Sequence, residues 1–175
     1  MITLKRIAAS ALLLFVISGC TRTTPSDMPP LYPCKVTVIQ DDKPLAGAVV
    51  TLRFADESVA ASFSQPWIPS GQTDADGTAS LMTNARYPGA PLGQFKILVQ
   101  KTDSEPVGMP PKPAEGTPQY EAWSLRLGSA DYNHFDLVEQ QYGDPQTTPL
   151  EIEVKKKGPN TATVDVGKPI RIKQM

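Results

Sequence analysis

The run Leu150 to Lys155, LEIEVK, alternates apolar and charged residues without a break. Successive side chains of an extended chain point to opposite faces, whereas a helix face recurs every three to four residues. Leu150, Ile152 and Val154 therefore share one face of a strand, and Glu151, Glu153 and Lys155 the other. The same period sets Val36 and Val38 against Lys35 and Thr37, and puts Val50, Leu52 and Phe54 together within AGAVVTLRF. In QFKILVQK it collects Phe95, Ile97 and Val99, with Lys96 and Gln100 outward; in TATVDV it collects Ala162, Val164 and Val166. Ile170 and Ile172 mark a last short strand. Glycine, proline, asparagine and aspartate punctuate these runs, and the chain holds 18 prolines and 12 glycines, which leaves few helix-favouring stretches. The expected fold is all-β, a Greek-key β-sandwich of about seven strands.

Between two of these strands lies GQTDADGTASL, residues 71–81, where Asp74 and Asp76 precede Gly77 as they would in a calcium loop. An EF-hand needs oxygen ligands at positions 1, 3, 5, 7, 9 and 12, with glycine at 6 and a bidentate glutamate at 12. With Gly77 at position 6, position 1 is Gln72 and position 12 is Thr83. The first and last ligands both fail. Asp-Gly is also a strong hairpin signal, because glycine accepts positive φ and aspartate bonds its own turn. The stretch reads as a turn with Asp76-Gly77 at its tip, and no metal site is expected.

The start of the chain has a different character. Lys5 and Arg6 precede an apolar core from Ala8 to Ile17, shorter than the roughly 20 residues a spanning helix needs and suited to a secretory signal. The sequence Ile17-Ser18-Gly19-Cys20 resembles a bacterial lipobox, which implies cleavage before Cys20 and lipid on that cysteine. Residues 1–19 are then signal peptide, 20–34 a polar, proline-rich tether, and 35–175 one domain. The implied location is the cell envelope, anchored by lipid at the outer membrane or on the periplasmic face. The mature chain has 156 residues (175 less 19), and losing Lys5 and Arg6 leaves 15 cations against 18 acids, a charge of −3. That balance provides no basic footprint for nucleic acid. With Cys20 lipidated, Cys34 has no partner in the chain and reads as a partly buried small hydrophobe.

Alternation fails between residues 102 and 149, which carry seven prolines and one helix-like piece, YEAWSLRLG. A stretch this long without strand signals reads as a functional insertion or a partly disordered loop. It concentrates Tyr120, Trp123, Tyr132, Phe135 and Tyr142 around the single histidine, His134, within a loop-like ADYNHFDL. Tyr120, Trp123, Tyr132 and Phe135 are the candidate recognition surface, since aromatics are favoured at interfaces; alternatively they pin the loop to the sandwich.

In order, DDKPLAGAVVTL, TDADGTASL and GAPLGQFKILVQ resemble carboxypeptidase regulatory-like domains, which are transthyretin-like (prealbumin-like) sandwiches. Asp42 stands where that family usually has glycine, and Ala79-Ser80 replaces an aromatic. QQYGDPQTTPLEIEVKKKGPNTATVDV is similar to the ending of a lipoprotein branch common in planctomycetes, with Thr148 in place of serine and an asparagine-containing turn. The resemblance covers roughly residues 35–101 and 139–167 and implies fold and location, without an activity.

Catalytic motifs are missing where they would be expected. One histidine does not supply the two-histidine-plus-glutamate shell of a zinc carboxypeptidase. Hydroxyisourate hydrolases of transthyretin type use more than one histidine and end in Y-R-G-S, and intradiol dioxygenases use two histidines. There is no G-x-S-x-G elbow around a serine, and no glycine-rich nucleotide loop. Glu151 and Glu153 share a strand face with Lys155 and read as solvated. The expectation is a non-catalytic, cofactor-free envelope protein whose sandwich serves structure or binding, with an envelope protein or glycan as partner. The alternative is a glycan- or peptide-binding module using the aromatic insertion; an enzyme of another kind ranks last.

Overall fold

A computed structural model describes residues 25–174; the expected signal peptide and lipidation site, Cys20, lie outside them. Nine strands have three or more residues: β1 (Cys34–Gln40), β2 (Val49–Phe54), β3 (Pro69–Gln72), β4 (Thr78–Ser80), β5 (Gly93–Gln100), β6 (Thr102–Pro106), β7 (Tyr132–Asp136), β8 (Glu151–Val154) and β9 (Asn160–Asp165). Two helices, α1 (Glu57–Ala61) and α2 (Pro118–Leu127), lie in the connections. The fold is an all-β sandwich. One sheet sets β9 parallel to β1, with β4 and the short Lys43–Pro44 strand antiparallel on β1's other side. The facing sheet runs β8-β5-β2-β3 and continues through Met82–Thr83 and Tyr87–Pro88.

The inward faces are those the alternation assigns. Val36 and Val38, Val50 and Leu52, Phe95, Ile97 and Val99, Ile152 and Val154, and Val164 and Val166 are buried in one cluster. Register stacks them, with Phe95 beside Phe54 and Ile152, and Ile97 beside Leu52. Each such side chain removed from water contributes about 1.5–3 kcal/mol before chain entropy is counted. Cys34 is buried in this core, more deeply than its sequence reading, and opens β1 one residue before the expected domain start. The tether expectation also ends early, because Leu31–Tyr32 pairs with Ala90–Pro91.

Polar side chains close the corners. Asn160 is buried where β8 turns into β9: its Oδ1 accepts from Lys155 N at 2.8 Å, and its Nδ2 donates to Pro33 O and Lys155 O. Thr148, buried, donates its hydroxyl to Ile97 O at 3.0 Å, a bond serine would also make. That contact brings the 139–148 segment across the outer face of β5, and Leu98 is buried there, whereas Lys96 and Gln100 on the same face are not. Period-2 reading of β5 misses this because its second face is covered by chain distant in sequence.

The insertion is not a structureless loop. β6 and β7 form an antiparallel ribbon from Thr102↔Asp136 to Pro106↔Tyr132, with α2 in the connection between them. ADYNHFDL is a strand, β7, and not a loop. Ile172–Lys173 adds to β7 as a third strand, so the expected last strand joins this arm instead of the sandwich, and Ile172 is exposed. No strand periodicity marks the arm because neither face of it is buried deeply enough to require apolar residues.

Candidate functional site

The TDADG turn is built from Asp74. Its Oδ1 accepts from Asp76 N at 3.0 Å and from Thr78 N at 2.9 Å, while Gly77 N donates to Asp74 O. The carboxylate is engaged with its own turn, as a hairpin reading requires. Gly77 has φ of 72°, and a Cβ there would lie 2.6 Å from Val38 O, so the position admits no side chain.

The four expected recognition residues do not form one surface. Tyr120 and Trp123, three apart on α2, stack at 6.0 Å, and Trp123 Nε1 donates to Pro110 O at 3.0 Å. Thr117 caps this helix by accepting from Tyr120 N, with Pro118 in the first turn. Tyr132 and His134 share the other periodicity: two apart on β7, they stack at 6.5 Å on one ribbon face. Phe135 points to the opposite face, where the Arg171 guanidinium lies 3.7 Å from its ring centre and also pairs with Asp103 and Glu105. Lys112 reaches over Tyr120 and pairs with Glu115, which raises the lysine's pKa and lowers the glutamate's. Each aromatic thus holds a piece of the arm in place, and only Tyr132 is as much as 40 % exposed.

His134 has a nucleophile beside it that sequence spacing does not reveal. Cross-strand pairing of Ser104 with His134 brings Ser104 Oγ to 2.8 Å from His134 Nδ1. A nucleophile–base pair works when a third group orients the base and the site excludes water. This pair sits exposed on the ribbon, and among the described residues no carboxylate bonds the histidine's other nitrogen. The arrangement is a cross-strand hydrogen bond. Glu151 and Glu153 are likewise surface groups, paired with Lys96 and Lys155.

A sizeable concavity lies elsewhere, at the base of the arm. It measures about 700 Å³ and runs between the junction of β5 and β6 (Val99–Thr102), the base of β7 at Asp136, and the segment from Val138 to Thr147. Three carboxylates, Asp136, Glu139 and Asp144, and one cation, Lys101, line it together with glutamine amides and threonine hydroxyls. Two carboxylates are held by amides: Gln174 Nε2 donates to Asp136 Oδ1 at 2.7 Å, and Gln141 Nε2 to Glu139 Oε2 at 2.6 Å. Tyr142 beside it has its phenol pKa raised, first by burial and then by Glu139 and Asp165. A second hollow of about 430 Å³ lies between α1 and Pro145 over Val49 and Leu98, and the two meet at Gln100 and Gly143.

No family model, curated protein or solved structure matches the chain. What it can do is therefore read from the groove and from the fold alone. Among the described residues there is no group of three or more histidine, cysteine, aspartate or glutamate side chains placed to hold a metal ion. Cys34, buried, has its thiol pushed up to about 11 by desolvation, which leaves it protonated and unreactive at neutral pH. The groove was not legible in the sequence, because its walls come from residues 99–102, 136–147 and 174 and carry no motif.

Proposed function

We propose that the chain is a non-catalytic lipoprotein of the bacterial cell envelope, held by lipid on Cys20, with a carboxypeptidase regulatory-like sandwich of transthyretin type as its binding or structural module. The observation that carries this reading is the Ile17-Ser18-Gly19-Cys20 box behind a short apolar core. Several acyl chains on one cysteine suit stable attachment, since each buried CH₂ contributes about 0.8 kcal/mol and one chain binds only reversibly. Leu31, the first residue paired in the fold, lies eleven chain steps beyond Cys20 (31 less 20), so the sandwich is held within about 40 Å of its anchor. The non-catalytic part is supported by the exposed, unsupported Ser104–His134 pair. Labelling cells with radioactive palmitate tests the anchor: label is expected on the wild-type chain and absent from Cys20→Ala. Unlabelled wild-type protein would sink the reading, and turnover in a broad hydrolase screen would sink its non-catalytic part.

A second reading, a glycan- or peptide-binding module, is favoured by the arm itself, which presents the Tyr120–Trp123 stack and the exposed Tyr132 away from the core. On that reading alone, Trp123→Ala and Tyr132→Ala would weaken capture of envelope glycans or peptides. Unchanged capture would remove the aromatic pairs as the contact surface.

A further inference from the structure

We propose that the groove at the base of the arm binds an uncharged, hydroxyl-rich chain, a neutral oligosaccharide. The inference takes up the binding reading above and moves its site from the aromatic pairs to the groove. Its volume of about 700 Å³ falls in the range of small-ligand sites, about 300–1,000 Å³. Gln100 and Gly143 stand between it and the second hollow, with the Gln100 side chain packed against Gly143.

Charge narrows the ligand class. Asp136, Glu139 and Asp144 repel an anion, which excludes phosphates, nucleotides and acidic glycans. A cation would require carboxylates that converge. Here Asp136 and Glu139 are each engaged by a neutral glutamine amide, Asp144 Oδ1 accepts from Gln146 N at 2.8 Å, and Lys101 stands in the same wall. An apolar ligand would lose the polar lining's hydration without replacing its hydrogen bonds.

A neutral hydroxyl meets none of these objections. The carboxylate–amide pairs set acceptors and donors side by side, and a hydroxyl both donates and accepts. The second oxygens of Asp136 and Glu139 carry no hydrogen bond within the described residues. The groove is also preformed: Thr147 Oγ1 donates to Gln141 O at 2.9 Å, and Thr148 pins the segment to β5.

The test uses the full-length chain in detergent, presented to an array of neutral oligosaccharides, with heparin and an oligolysine peptide as charged probes. Binding of a neutral oligosaccharide is expected, weakened about tenfold or more by Gln100→Ala and by Glu139→Gln. The latter substitution preserves shape, and thermal melting confirms the fold of both variants. Trp123→Ala and Tyr132→Ala are expected to bind as the wild type does. Loss of oligosaccharide binding in the aromatic variants but not in the groove variants would overturn the inference and leave the aromatic reading standing. Absence of oligosaccharide binding, or binding confined to oligolysine or heparin, would also overturn it.

Discussion

Thr73→Val isolates the bond that makes two separate sequence signatures into one structural unit. Thr73 opens TDADG, and its side chain is buried against the turn of DDKPLAGA. Its Oγ1 accepts from Ala48 N at 2.8 Å and donates to Leu45 O at 2.6 Å; its backbone exchanges bonds of 2.9 Å with Gly47 N and Ala48 O. Valine keeps the shape and removes the hydroxyl, leaving an N–H donor and a carbonyl buried without those partners. A buried group deprived of its partner costs about 1–3 kcal/mol, and the donor side of the pair has no other acceptor, so the expected loss is about 2–4 kcal/mol. For a chain of this length that lowers the melting temperature by roughly 5–15 °C. Urea titration followed by circular dichroism measures it, with Thr73→Ser as the control that retains the hydroxyl and loses about 1 kcal/mol for its methyl. A Thr73→Val midpoint equal to or above that of Thr73→Ser would refute the assignment of stability to this hydroxyl.

Asp41 and Asp42 both have positive φ, 51° and 59°, in the turn that closes Gln40 onto Lys43. Asp42→Gly is therefore expected to stabilise the protein by about 0.5–1 kcal/mol, read as a higher urea midpoint, because this turn type favours Asp-Gly. Asn160→Asp should destabilise strongly at neutral pH, since a carboxylate would face Pro33 O and Lys155 O. Burial beside two carbonyls raises the new carboxyl's folded pKa, so its stability contribution is present below about pH 4 and lost as pH rises. Melts at acid and neutral pH would show the deficit relative to wild type shrinking on acidification. The Cys34 thiol, pushed up to about 11 in the folded chain from an ordinary value of 9.0, makes stability fall as pH rises through that window, because the unfolded thiol ionises first. Cys34→Ala should lose this slope between the two values, and a retained slope would assign it elsewhere. Arg171→Ala removes a guanidinium bound to Asp103, Glu105 and the Phe135 ring. Exposed pairs of this kind contribute about 1 kcal/mol or less each, so hydrogen exchange should quicken in the arm while the global midpoint stays nearly unchanged.

The alternation determined the sandwich and its inward face. Val36, Leu52, Phe95, Ile152 and Val164 are buried, because period 2 is a local property that any half-buried strand must obey. The turn chemistry of Asp74 and Gly77 was legible for the same reason, since φ and short-range hydrogen bonds are settled within a few residues. What the sequence could not settle depends on contacts between distant segments. The parallel pairing of β9 with β1 joins residues over a hundred positions apart, and Leu98 is buried on the outer face of β5, beside the distant segment that Thr148 pins to that strand. The arm's strands lack a buried face and so carried no pattern, while its aromatics, read as one surface, are divided by the two periodicities of α2 and β7. The groove is decided wholly at this level, because hydrogen-bonding groups such as glutamine and threonine acquire a common direction only when the tertiary fold sets them around one space.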